Sequence, residues 1–369
     1  MSRSSKRMWT MGPGAVYLLG SLSPADLITH SVTGATYGYS LLWVIVIAYG
    51  LNYCIAEATS RYVVATGESI MEGFGRMGRP VVLALAVAIF LRRHVNNLVK
   101  VLLMGTAAHL LVPLPSPHSV PIWAAVSFVF AFSLMYRGGY RGVEAVSRYA
   151  VVLLVGAFVL VAIIASPSPA AIAGGLLVPS FPDETGLYRY TLLLMAVAGT
   201  TVGSLNHLKY PAYVYEKGWR NAGSAAVQRR DLVMSVVSQG LLAVLIQVAA
   251  AATLFRHGVE IRTLEDLSRV FSGPLGEAGR LVLGIGIWAA MFMSYIGSNT
   301  GYSLLVADAW ERFVRRRTVE PSEAQRTLIR GRAYRVVLTF FCVSSLYVLV
   351  TTWEPIWLAI LSPAFFFVL

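Results

Sequence analysis

Ten apolar runs, each near the length of a membrane-spanning helix, alternate with short polar segments along this 369-residue chain. They fall at about 12–35, 41–65, 81–112, 121–137, 149–165, 188–213, 231–255, 280–309, 334–351 and 355–369. A bilayer core takes roughly 20 helical residues per crossing, so the pattern predicts an all-α polytopic membrane protein. Eight runs read as helices without large breaks. The first breaks at Ser23-Pro24-Ala25-Asp26, where proline removes a backbone donor and crowds the preceding turn. The sixth is loosened at Gly199-Thr200-Thr201-Val202-Gly203-Ser204, with Asn206, His207, Lys209 and Pro211 just beyond. Opened backbone at membrane depth is tolerated only where protein packs on it or it lines a watery cavity. An acid there, Asp26, is a functional-site hypothesis by default. The pattern points to a transporter.

Interrupted helices at matching positions of two halves are the mark of inverted-repeat transporters. They divide the chain into a cytoplasmic N-terminus (1–11), a first five-helix repeat (12–165), an extracytoplasmic loop (166–187) and a second repeat (188–369). The last run stops at Leu369 without a polar flank, which reads as a truncated final helix.

Composition agrees. The chain is 56% hydrophobic and 13% charged, with mean hydropathy +0.65, against about 25% charged residues in soluble proteins. A net charge of +12 raises nucleic acid as a partner, but the positions exclude it. Lys and Arg gather in alternate loops, most densely from Arg312 to Arg335. That is the positive-inside pattern of a multi-pass plasma-membrane protein with a cytoplasmic N-terminus. The apolar start runs into a polar break instead of a signal-peptide cleavage site. Cys54 and Cys342 lie far apart in apolar runs and make no disulfide framework. No P-loop, HExxH or Gly-x-Ser-x-Gly motif is present, so neither an enzyme nor a cofactor is expected. The bilayer is the expected partner, and nothing in the pattern fixes an oligomeric state.

Gly12-Pro13-Gly14, Ser23-Pro24-Ala25-Asp26, the run Gly34 to Trp43, and Ala65-Thr66-Gly67 resemble the opening of the NRAMP (natural resistance-associated macrophage protein) family of divalent-metal transporters. Gly199-Thr200-Thr201-Val202 resembles the start of that family's sixth-helix motif, and Ser298-Asn299-Thr300-Gly301 is similar to its eighth helix. The resemblance implies the LeuT-like fold, with two inverted five-helix repeats broken at helices one and six, and a metal site between those breaks. The chain departs from the family at that site, as a divergent branch would. Asp-Pro-Gly-Asn is replaced by Ser23, Pro24, Ala25 and Asp26, so one carboxylate remains, moved by three residues. Met-Pro-His is replaced by Gly203, Ser204 and Leu205. Loss of a thioether weakens selection against hard ions. Where the family carries acids tied to proton movement, span three has Asn97 and Lys100.

The expected ion-binding set is Asp26, Ser23, Gly203, Asn206 and Asn299, with Asp26 and Asn206 as metal ligands. Asp26 reads equally as a cap on the second half-helix. His30, Asn97, Lys100, His207 and Lys209 are the candidate pathway or coupling residues. Arg92, Arg93 and Lys100 of span three are costly at that depth and need a partner or a cavity. Pairing with Glu57, a tethered charge replacing the proton, or an anion site would each explain them. Ser294, Ser298, Asn299 and Thr300 could add oxygen ligands or only pack. The leading expectation is transport of divalent cations, Mg²⁺ or Mn²⁺, with relaxed selectivity and weak or absent proton coupling. A same-fold carrier of an anion or small organic solute, or a transport-inactive receptor, stands beside it.

Overall fold

The computed structural model describes residues 24–137, 141–184, 186–203, 205–315, 331–351 and 353–368. Ser23, Ser204, the glycines at 12 and 14, the 1–11 segment, and Arg316, Arg317, Arg326 and Arg330 lie outside the described residues. Among the described residues there is no strand. The helices are α1 Pro24–Tyr37, α2 Leu42–Thr66, α3 Ile70–Arg76, α4 Arg79–Leu111, α5 Ser119–Arg137, α6 Arg141–Ala165 and α7 Pro169–Leu177. They continue as α8 Tyr190–Thr201, α9 Lys209–Lys217, α10 Ala225–Thr253, α11 Leu264–Ala309, α12 Arg332–Val343 and α13 Pro355–Val368. Six stretches are long and apolar enough to cross a bilayer, and α8 and α13 are shorter apolar helices.

The boundaries follow local chemistry. α2 ends at Gly67, which takes the left-handed conformation (φ 73°) while its N–H bonds to the Val63 carbonyl; glycine does this without the Cβ penalty. Two residues on, α3 starts with a capping box in which Ser69 and Glu72 satisfy each other's backbone donors. Thr263 and Asp266 do the same for α11.

The sixth span is broken as expected. α8 stops at Thr201, Leu205 takes a left-handed φ of 54°, a 3-10 turn covers Asn206–Leu208, and α9 resumes at Lys209. A non-glycine residue held there is strained by about 1–3 kcal/mol, which marks switch and ligand sites.

One expectation of unbroken geometry is corrected. The ninth span is not one helix: α12 ends at Val343 and passes into a 3-10 segment, Leu346–Val350. The Ser344 and Ser345 hydroxyls donate back to the carbonyls of Phe341 and Cys342 at 3.4 and 3.3 Å, and such local bonds compete with the helix ladder. The eighth span is one helix over 280–309 as expected, but the helix begins earlier, with a kink at Gly276 (φ 60°), two residues after Pro274. The loop from 166 to 187 also carries a helix, α7, bent 117° from the end of α6.

α1 lies at the centre, packed on α8, α10 and α13, while α11 runs along α4 and α6. Glycines allow the closest approaches. A Cβ on Gly199 would collide with the Pro363 carbonyl of α13, and one on Gly203 would come within 2.9 Å of the Phe366 carbonyl. Such small-residue contacts are how helices pack within a bilayer. On the outside, Val46, Val87, Val129 and Ile163 are more than half exposed, an apolar surface suited to lipid.

Candidate functional site

Asp26 sits in the first turn of α1, where the helix dipole favours a carboxylate, and is only 8% exposed. Its place is therefore inside the helix start. It lies within electrostatic reach of Arg92 on α4 and of Lys209, the first residue past the break in span six. The start of α1 and the break in span six thus meet at one carboxylate and one ammonium.

The basic residues of span three are all buried: Arg92, Arg93 and Lys100 are 3%, 4% and 1% exposed. They do not pair with Glu57. That carboxylate is held by Arg61 at 3.3 Å and Arg229 at 3.6 Å. Instead the cations rest on aromatic faces and backbone oxygens. The Arg92 guanidinium lies 4.7 Å from the Phe366 ring centroid. Tyr302 of α11 carries two cations, Arg93 at 4.7 Å and Lys209 at 5.5 Å, an arrangement that attracts through the ring quadrupole. With its amide oxygen turned toward them, Asn96 accepts from Arg92 Nε at 3.1 Å and from an Arg93 terminal nitrogen at 3.0 Å.

One turn further along α4, Asn97 Nδ2 donates to Asn299 Oδ1 and to the Phe341 carbonyl, both at 2.9 Å. Lys100 Nζ donates to the Ser294 carbonyl at 2.9 Å and to Ser298 Oγ at 3.1 Å. Span three is thereby pinned to spans eight and nine by polar bonds that involve no acid. α4 itself, Arg79–Leu111, contains no Asp or Glu.

The remaining predicted residues fall into separate contacts. His30 is fully buried and faces Gln247 of α10. His207 lies in the 3-10 turn after the break, and its Nδ1 meets no hydrogen-bond partner among the described atoms. Gly203 lies against α13, as above. The Asn206 backbone belongs to the same turn, and its side chain is outside what is described. Thr300 Oγ1 bonds back to the Ile296 carbonyl at 2.8 Å, so it serves its own helix.

Tyr302 and Asn96 were not singled out from the sequence. Tyr302 follows Asn299 by three positions, which places the two on one helical face, and that spacing is the signal that could have found it.

Among the described residues no group of three or more His, Cys, Asp or Glu side chains could hold a metal. A cation at Asp26 would have to draw its other ligands from backbone and amide oxygens. The end of α8 supplies some, since a helix C-terminus leaves its last carbonyls without intrahelical partners.

Nearer the chain's basic loops, Arg312 at the end of span eight bonds both Glu72 of α3 and Asp308, the latter at 2.7 Å. Phe313 closes onto Gly75 of α3. This ties α3 to α11 below the site.

A bundle of apolar helices, with a break after Thr201 and the buried carboxylate of Asp26 in reach of Lys209 just past it, defines a multi-pass membrane protein of the transporter class with the LeuT-like fold. The family model for natural resistance-associated macrophage protein-like proteins matches residues 14–369. The chain belongs to the NRAMP family. It is 24% identical over 310 residues to the divalent metal cation transporter MntH of Chromohalobacter salexigens, covering 80% of this chain and 70% of that protein. It is 24% identical over 305 residues to the MntH of Pectobacterium carotovorum, covering 80% and 71%. A crystal structure of the Eremococcus coleocola manganese transporter, in complex with an aromatic bis-isothiourea compound, superposes with a TM-score of 0.65 at 18% identity, covering 91% of this chain and 75% of that one.

Proposed function

We propose that this protein moves divalent metal cations across the plasma membrane by alternating access, with its N-terminus in the cytoplasm. Its relatives are named as transporters of such ions, which favours this reading over an organic solute or a silent receptor. The single observation that carries it is Asp26 on α1 in reach of the broken span six. Asp26 binds the ion directly or through its water. Carbonyls at the break, with Ser23, Asn206 and Asn299, complete an oxygen-rich shell. Mg²⁺ takes one or two carboxylates and keeps several waters, so a single acid is sufficient. Without a thioether the site accepts Mg²⁺ as well as Mn²⁺.

Transport proceeds without a coupled proton. Span three has no acid to carry one. The tethered charges of Arg92 and Lys209 compensate Asp26 when the ion has left, so the empty carrier returns without needing protonation.

The test is flux into proteoliposomes with Mn²⁺ and Mg²⁺ in parallel, wild type against Asp26→Ala. Both ions should enter with wild type, neither with the variant, and an inward acid gradient should not stimulate entry. Absence of flux of either ion in folded wild type would refute the proposal.

A further inference from the structure

Four basic side chains lie together in the bundle. Lys100 is in electrostatic reach of Arg92, Arg93 and Lys209, and Lys209 of Arg93. Arginine remains charged in proteins. Asp26 is a carboxylate that acts on Arg92 and Lys209. Residues 1–23 contain no acid, so the N-terminal part of span one cannot supply another. Several acids elsewhere among the described residues are engaged: Glu57 with Arg61 and Arg229, Glu72 and Asp308 with Arg312, and Glu68 with Arg76. Buried charge without compensation is expensive, and aromatic faces offset only a part of it.

The unfilled donors sit in the same cluster. Arg92 Nη1, Arg93 Nε and Nη1, and Asn299 Nδ2 are buried and meet no acceptor among the described residues. Asn96 satisfies one nitrogen of each arginine and leaves these. Adjacent guanidinium groups with free N–H edges match the oxygens of a carboxylate or oxyanion, which they bind in paired, charge-assisted bonds.

We propose that Arg92 and Arg93, with Lys209, form an anion site for a small carboxylate or oxyanion next to Asp26. The anion supplies acceptors that these arginine nitrogens lack among the described residues and lowers the positive charge around the carboxylate. This goes beyond the cation reading and stands independently of it.

The probes are inorganic phosphate and acetate, labelled and measured by equilibrium dialysis against the detergent-solubilised full chain, with chloride holding ionic strength constant. Wild type should bind one of them saturably, close to one per protein. Arg93→Lys keeps the charge but loses the fork, and should weaken binding about tenfold or more. Arg92→Gln with Arg93→Gln should abolish it. Where the double variant does not fold, Arg93→Lys and the wild-type stoichiometry decide. Asp26→Asn should lose metal flux yet retain the anion, which separates the two readings. No saturable binding of either probe to wild type, or binding unchanged in Arg93→Lys, would overturn the site.

Discussion

Asn97 donates through Nδ2 to Oδ1 of Asn299 at 2.9 Å, joining the middle of span three to the middle of span eight across 202 residues of sequence. Both side chains are fully buried, so the bond is made away from competing water. Replacing Asn97 by Ala strands Asn299 and the Phe341 carbonyl without their donor. The expected loss is about 1–3 kcal/mol, seen as a lowered melting temperature in detergent. A variant as stable as wild type would show that the Asn97 bonds do not hold these spans together.

Gly199 faces the backbone of α13 with no room for a methyl group. Gly199→Ala forces α8 and α13 apart, and overpacking of this kind costs about 1–3 kcal/mol. Melting temperature and Mn²⁺ flux should both fall. Gly240, whose nearest neighbour would be a Tyr49 ring carbon at 3.5 Å, should accept Ala with little change.

Arg312 carries two carboxylates, Glu72 and Asp308. Arg312→Gln leaves both without their cation, at an expected loss of roughly 1–3 kcal/mol. Arg312→Lys should recover part of it, since charge is kept and the fork is not. Thermal melts of the three proteins in one detergent give the order.

Glu68 accepts a hydrogen bond from the Tyr62 hydroxyl at 2.6 Å. That bond, aided by Arg76, holds its carboxyl below its usual value of 4.5. A carboxylate depressed in the folded state contributes stability above its unfolded pKa and loses it as pH falls through the folded one. Melts of wild type and Glu68→Gln should differ slightly at neutral pH and converge in acid below the usual carboxylate range. The effect is small because the group is solvent-exposed.

Most of the spans were legible because a bilayer imposes one length and one polarity on every crossing. Asp26 was legible for the same reason, as a charge where charge is expensive. The partners of the span-three cations were not. Glu57 was the sequence-local candidate, but Tyr302 and Phe366, more than two hundred positions away, hold Arg93 and Arg92 instead. A cation over a ring has no periodicity to betray it, and only the packing of α11 and α13 against α4 creates it. The breaks divide in the same way. Glycine and hydroxyl residues announced the one after Thr201, whereas the change to a 3-10 turn after Val343 depends on two serine hydroxyls turning back on their own chain.

α7 has no buried residue, yet α7 and the segment after it are fastened to the turn between α1 and α2 and to the start of α2. Gly175 rests on the Tyr39 carbonyl, Ser180 Oγ donates to the Ser40 carbonyl at 3.0 Å, and Phe181 meets Trp43 edge-on at 5.6 Å. A helix this apolar settles at the depth the surrounding lipid dictates. A change in bilayer thickness that shifts α7 is therefore felt at the turn that follows the helix bearing Asp26, making membrane elasticity a mechanical load on this carrier.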